Sequence, residues 1–209
     1  KMNIQPVIPF ELNEHWNLIT RTIVPVIHQD DIAGTRLNPS GSQTGLGDTV
    51  MSAWLSPVEP TSGGWIWGAG AAALLPSGNS SNFLGANQWG LGPTFVTLKQ
   101  QGQFTYGFLA NHIWNVGGNG GFPTVNASFF QPFFVYLPGG GWSYSINTET
   151  SYDWTNEQFT VPLNLSVSKM FKIGDTQAQG QLGGRYYAEK AANGPEWGLR
   201  MSLTLLFPE

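Results

Sequence analysis

Along most of the chain, apolar and polar side chains alternate with a period of two residues. That is the repeat of a β-strand, whose successive side chains point to opposite faces. The clearest stretch runs from Trp142 to Trp154. One face carries Trp142, Tyr144, Ile146, Thr148, Thr150, Tyr152 and Trp154; the other carries Ser143, Ser145, Asn147, Glu149, Ser151 and Asp153. The apolar face has rings at both ends and smaller residues between them. A soluble strand buries its largest residues mid-strand. A strand crossing a bilayer wants amphipathic rings at the two headgroup levels and a polar face toward a wet lumen. The pattern therefore predicts an all-β fold, a transmembrane up-and-down antiparallel β-barrel.

The same period recurs along the chain. Lys1 to Glu11 reads as a strand with Met2, Ile4, Ile8 and Phe10 on one face, and Trp16 to Ile27 as the next, with Asn17 and Arg21 opposite Trp16, Leu18, Val24 and Val26. After a long polar connection, His28 to Gln43, Thr44 to Ser56 is a strand with Asp48 out of phase with Thr49, Met51 and Leu55. Gly64 to Pro76 turns Trp65 and Trp67 outward and leaves a small face of Gly68, Gly70 and Ala72. Gln88 to Gln100 is a strand of ambiguous phase. Phe104 to Val116 sets Phe104, Tyr106, Phe108 and Trp114 against Thr105, Asn111 and Asn115, and Thr124 to Leu137 is a strand with a bulge expected at Pro132. Beyond Trp154, Gln158 to Phe171 and Thr176 to Lys190 alternate well, the latter with Gln177, Gln179, Gln181, Arg185 and Glu189 on one face. The last strand, Glu196 to Pro208, sets Trp197, Leu199, Met201, Leu203, Leu205 and Phe207 against Arg200, Ser202 and Thr204. These are eleven strands of roughly 11–14 residues, where a tilted spanning strand needs about 9–11.

Short turns in such barrels are periplasmic and long loops extracellular. Leu12 to His15 is short and His28 to Gln43 long, so the first strand runs downward, as does the last. Two downward neighbours cannot pair antiparallel. The expectation is a single outer-membrane barrel domain of twelve strands, N-terminally incomplete, with the twelfth strand supplied upstream of Lys1.

Composition narrows the alternatives. Only 11% of the 209 residues are charged, against about 25% in soluble domains. The most apolar run, Trp65 to Pro76, is twelve residues with two glycines, too short for a spanning helix of about 20. A net charge of −4 offers no basic face for nucleic acid, and the absence of cysteine rules out a disulfide scaffold or a thiolate site.

The motifs G-x-S-x-G, H-E-x-x-H, G-x-G-x-x-G and the P-loop are missing, so no enzyme, cofactor or metal is expected. His15 and His28 fall in a turn and a loop. His112 shares the outward phase of Phe108 and Trp114, and with no partner in phase it reads as an interfacial imidazole. The candidate site is the set of lumen-phase polar residues Arg21, Asp48, Asn111, Glu149, Asp153, Arg185 and Arg200. Counting from the turns puts Asp48, Asn111, Glu149, Arg185 and Arg200 near one level, with Arg21 lower. They read as a structural network that also forms a constriction. A symmetric loop at Ala191–Pro195 would set Arg185 directly across from Arg200, and such like charges need a carboxylate between them, Glu149 or Asp48.

Ordered segments along the whole chain also resemble a known family. They are Ile4-Gln-Pro-Val, Trp16-Asn-Leu-Ile-Thr-Arg, Gly45-Leu-Gly-Asp, Trp89-Gly-Leu-Gly-Pro-Thr, Asn111-His-Ile-Trp, Gln131-Pro, Tyr152-Asp-Trp, Val167-Ser-Lys, Gly184-Arg-Tyr, Trp197-Gly-Leu-Arg and Leu205-Leu-Phe-Pro. Together they resemble the bacterial outer-membrane transporter family associated with the meta-cleavage pathway of phenol degradation. The resemblance implies a twelve-stranded outer-membrane channel for small hydrophobic or aromatic solutes. The expected mechanism is passive diffusion through a polar lumen gated by the long His28–Gln43 loop. It also implies an N-terminal segment, including a strand, that this chain lacks. The expected partners are the bilayer, a small solute, and the barrel-insertion machinery that reads the strand ending on Phe207. The rival readings are a soluble lipocalin-like ligand-binding barrel, apolar inside and polar outside, and an outer-membrane barrel with an enzymatic or structural role.

Overall fold

The structure is a computed structural model, and it describes residues 1–30, 41–79, 84–118, 124–192 and 194–207. These residues form fourteen strands in one antiparallel sheet. In chain order they are β1 (Met2–Ile4), β2 (Val7–Asn13), β3 (Trp16–Gln29), β4 (Gln43–Leu46), β5 (Thr49–Pro57), β6 (Trp65–Leu75) and β7 (Gln88–Gln101). They continue with β8 (Phe104–Gly118), β9 (Asn126–Gly139), β10 (Trp142–Thr148), β11 (Thr150–Asp153), β12 (Gln158–Ile173), β13 (Thr176–Glu189) and β14 (Trp197–Leu206). Consecutive strands are neighbours, the up-and-down order that alternation and short turns imply.

The fourteen strands make eleven spans, because three spans are each broken once. The first is split into β1 and β2 at Gln5–Pro6 and the third into β4 and β5 at Gly47–Asp48; the eighth is split into β10 and β11 at Glu149. Prolines account for the last break. Thr148 pairs with Leu163 and Ser151 with Thr160, so Glu149 lies across from Pro162. On the other side Asn147 pairs with Phe133 and Thr150 with Phe130, so Thr148 lies across from Pro132. Proline has no N–H to give to a ladder, and Glu149 stands in the gap that results. The bulge expected at Pro132 is not there: β9 keeps one register with β8 from Asn126 to Tyr136. The register slips instead at Val161/Pro162 against β13.

Polarity is inverted relative to a soluble barrel. The exposed face carries Trp142, Tyr144, Ile146, Trp154, Phe159, Leu163, Leu165, Leu199, Met201 and Leu203, while Ser52, Ser56, Gln88, Thr94, Ser143, Asn164 and Ser168 are buried on the other. An apolar surface this extensive needs a cover. Rings gather near both ends of the outer face. Near the short-turn end Phe104 lies 5.3 Å from Tyr136 and Trp65 lies 5.7 Å from Tyr106; at the other end Tyr152 lies 4.8 Å from Trp154 and His112 lies 4.3 Å from Trp114. This is the girdle arrangement of a membrane barrel.

The sheet coils enough for Arg200 on β14 to reach Glu149, three spans away. Among the described residues, β14 pairs only with β13, and β1 and β2 pair only with β3. The spans on either side of that seam run the same way, since they are first and eleventh in an alternating series.

Glycine sets how closely two of the spans approach. A Cβ built on Gly70 would lie 1.8 Å from the Ala53 carbonyl oxygen, whereas one on Gly184 would meet nothing within 4 Å. Gly70→Ala must therefore push β5 from β6. The expected cost is about 1–3 kcal/mol, measured as a lowered thermal midpoint in detergent, with Gly184→Ala unchanged.

Candidate lumen site

Glu149 is the centre of the inward polar groups. Its two carboxylate oxygens are taken by different arginines: Arg185 Nη2 donates to Oε2, and Arg200 Nη1 donates to Oε1 at 2.5 Å. Arg185 also donates from Nε to Asn164 Oδ1 at 2.6 Å, and Asn164 donates to Asn147 Oδ1 at 2.8 Å. Asn164 is only 2% exposed. The network thus runs across β10, β12, β13 and β14 around the Glu149 break. Each charge-assisted bond contributes about 1.5–3 kcal/mol when shielded. The Arg200 side chain is 40% exposed against 24% for Arg185, so water and salt screen its share more.

Arg185 and Arg200 are not directly opposed. Arg185 pairs with Gly198 and Arg200 with Gly183, two positions out of line. Since Tyr186 pairs with Trp197, the hairpin is centred between Ala191 and Ala192, ahead of the Asn193 centre of a symmetric Ala191–Pro195 loop. Each guanidinium therefore faces a glycine, which leaves it room to lean toward the carboxylate.

The other expected members separate. Arg21 lies within electrostatic range of Glu149, as does Lys1, without a hydrogen bond or ion pair to it. Asp48 does not join it. Its Oδ1 accepts from the Gly78 amide at 3.0 Å and its Oδ2 from the Ala86 amide at 2.6 Å. Gly47 and Asp48 interrupt the third span, and the freed carboxylate anchors the connection between β6 and β7. Asp153 is also removed: its oxygens accept from the Thr155 and Asn156 amides and from Asn156 Nδ2 at 2.7 Å, closing the turn after β11. Asn111 pairs in register with Thr94 on the far wall, outside the ion-pair network. Residues 31–40 of the connection expected to gate the barrel lie outside the described residues.

Three features were not foreseen. Trp54 points inward with Ser52 and Ser56, is 4% exposed, and donates from Nε1 to Thr94 Oγ1 at 3.1 Å. Its phase partners Ser52 and Ser56 were the signal available. Trp54, Ala72, Leu109 and Ile113 give β5 to β8 an apolar inner wall. The facing wall is polar: Ser145 and Ser166 share a hydrogen bond, Gln181 donates to Ser166, and Ser202 donates to Gln181. Lastly, His112 does have an in-phase partner, Ser128, 2.7 Å from Nδ1 and paired with it in register. Trp154 Nε1 donates to the same hydroxyl at 2.9 Å. Among the described residues no carboxylate bonds this imidazole, and its Nε2 is without a partner.

Glu149→Gln keeps the shape and removes the charge that two arginines share. The expected loss is on the order of 3 kcal/mol, read from urea unfolding in lipid vesicles. Arg185→Ala should cost more than Arg200→Ala, because it also strips Asn164 of a donor.

No family model matches the sequence, and no curated protein matches it. Among solved structures the fold is similar to that of an outer membrane channel from Pseudomonas putida F1, with a TM-score of 0.69 and 19% sequence identity over 95% of this chain and 79% of that one. What the two chains are shown to share is the fold, an antiparallel barrel of spanning strands.

Proposed function

We propose that this protein is a channel of the bacterial outer membrane through which small solutes diffuse passively, with a preference for anions. The observation that carries the reading is the lumen charge around Glu149. Three guanidiniums, Arg21, Arg185 and Arg200, act on that one carboxylate. An excess of fixed positive charge at one level draws anions and repels cations. The apolar exterior with its two sets of rings supports the bilayer location. It runs against the soluble lipocalin-like alternative, which needs the opposite polarity. The apolar wall of Trp54, Ala72, Leu109 and Ile113 favours solutes with an apolar or aromatic body. One further strand, antiparallel to both β2 and β14, closes the seam in this reading.

Reversal potentials in planar bilayers under a potassium chloride gradient test the proposal. The protein should pass chloride in preference to potassium, and replacing both Arg185 and Arg200 with alanine should shift selectivity toward cations and raise conductance. Unchanged selectivity and conductance in a folded double variant would make the network structural only.

A further inference from the structure

Arg21 differs from the other two lumen arginines. Arg185 is bonded to Glu149 and Asn164, and Arg200 to Glu149. Arg21 makes no hydrogen bond or ion pair with any described residue, and its Nε is shut off from solvent without an acceptor. Its guanidinium carbon sits 5.3 Å from the ring centre of Trp54. Directly across the β3–β5 ladder from Arg21 is Ser52, 4% exposed, whose hydroxyl is also without a partner. Side chains so paired stand on one face about 5 Å apart at Cβ. A planar guanidinium fork and a hydroxyl are thus turned inward side by side, beside an indole.

Polar groups shielded from water and left unpaired are costly, and the cost falls once an acceptor reaches both. From its strands this pair is offered no carboxylate: the one acting on Arg21 is Glu149, which two other arginines already hold. We infer that Arg21, Ser52 and Trp54 form a binding station in the lumen for a small aromatic carboxylate, an inference that rests on the inward-facing lumen of the channel reading. The carboxylate would accept two N–H bonds from the guanidinium fork and one O–H bond from the Ser52 hydroxyl. The ring would lie against Trp54 and the apolar wall behind it, where Trp54 is paired with Gly70 and Gly70 with Thr94. A single cation with one hydroxyl suits a monoanion better than a phosphate dianion, and the indole selects for the ring.

Isothermal titration of the detergent-solubilised protein with benzoate tests this without any need for conduction. Benzoate should bind at least tenfold more tightly than acetate, benzyl alcohol or inorganic phosphate. Arg21→Gln should weaken benzoate about tenfold, Ser52→Ala about threefold, and Trp54→Leu should weaken benzoate while leaving acetate unchanged. Should Arg21→Gln fail to fold, Arg21→Lys, which keeps the charge and loses the fork, must still weaken benzoate severalfold. Equal binding of benzoate and benzyl alcohol, phosphate binding as tight as benzoate, or full benzoate affinity in both Ser52→Ala and Arg21→Lys would overturn the station. Benzoate binding of the expected pattern by a protein that never conducts would keep the station and remove the channel. Anion conduction with no benzoate binding would do the reverse.

Discussion

One carboxylate organises the interior of this barrel. A sheet that turns its polar faces inward must satisfy them there, and the largest unmet demand is a group of guanidiniums on β3, β13 and β14. Glu149 answers it because the backbone lets it. Pro132 on one side and Pro162 on the other withdraw ladder donors from the eighth span, which parts at this residue. The flanking threonines close the outer side of the break, their hydroxyls 2.7 Å apart. Two prolines, a gap and a two-armed carboxylate form one device, and it draws together spans that pair nowhere in the sheet.

Charge and apolarity divide the lumen between opposite walls. The spans near the seam bring Arg21, Arg185, Arg200 and the serine and glutamine rungs; β5 to β8 bring Trp54, Ala72, Leu109 and Ile113. Trp54 belongs to both, since it touches Arg21 at 5.3 Å and bonds Thr94. In the channel proposed above, a solute with a charged head and a flat apolar body would meet suitable chemistry on either side, and a purely ionic or purely hydrocarbon solute only half of it.

Much of the fold was legible because alternation survives wherever one face meets water and the other does not. The Trp142–Trp154 stretch gave its phase without ambiguity, and Glu149, Arg185 and Arg200 came together as their shared phase implied. The phase of β7 was unreadable for the same physical reason that makes the lumen interesting. Val96 and Leu98 share the inward phase with Thr94 while Trp89, Leu91 and Phe95 face out, so both faces are apolar. The partners of Asp48 and Asp153 were not legible, because phase says which way a side chain points and nothing about nearby backbone amides, which bond both carboxylates. Ser128 was missed as the partner of His112 because cross-strand register depends on a loop that periodicity does not measure.

A lumen of this kind requires that the polar face of the spans meets water and the apolar face lipid. The chain has no cysteine, so single cysteines can be read one at a time. In lipid vesicles, Ser145→Cys and Asn147→Cys should react with a small water-soluble thiol reagent. Tyr144→Cys and Ile146→Cys should resist it and, once labelled with a fluorophore in detergent, be quenched from the acyl-chain phase. The reverse pattern, or equal reaction at both sets, would contradict a polar lumen within an apolar barrel.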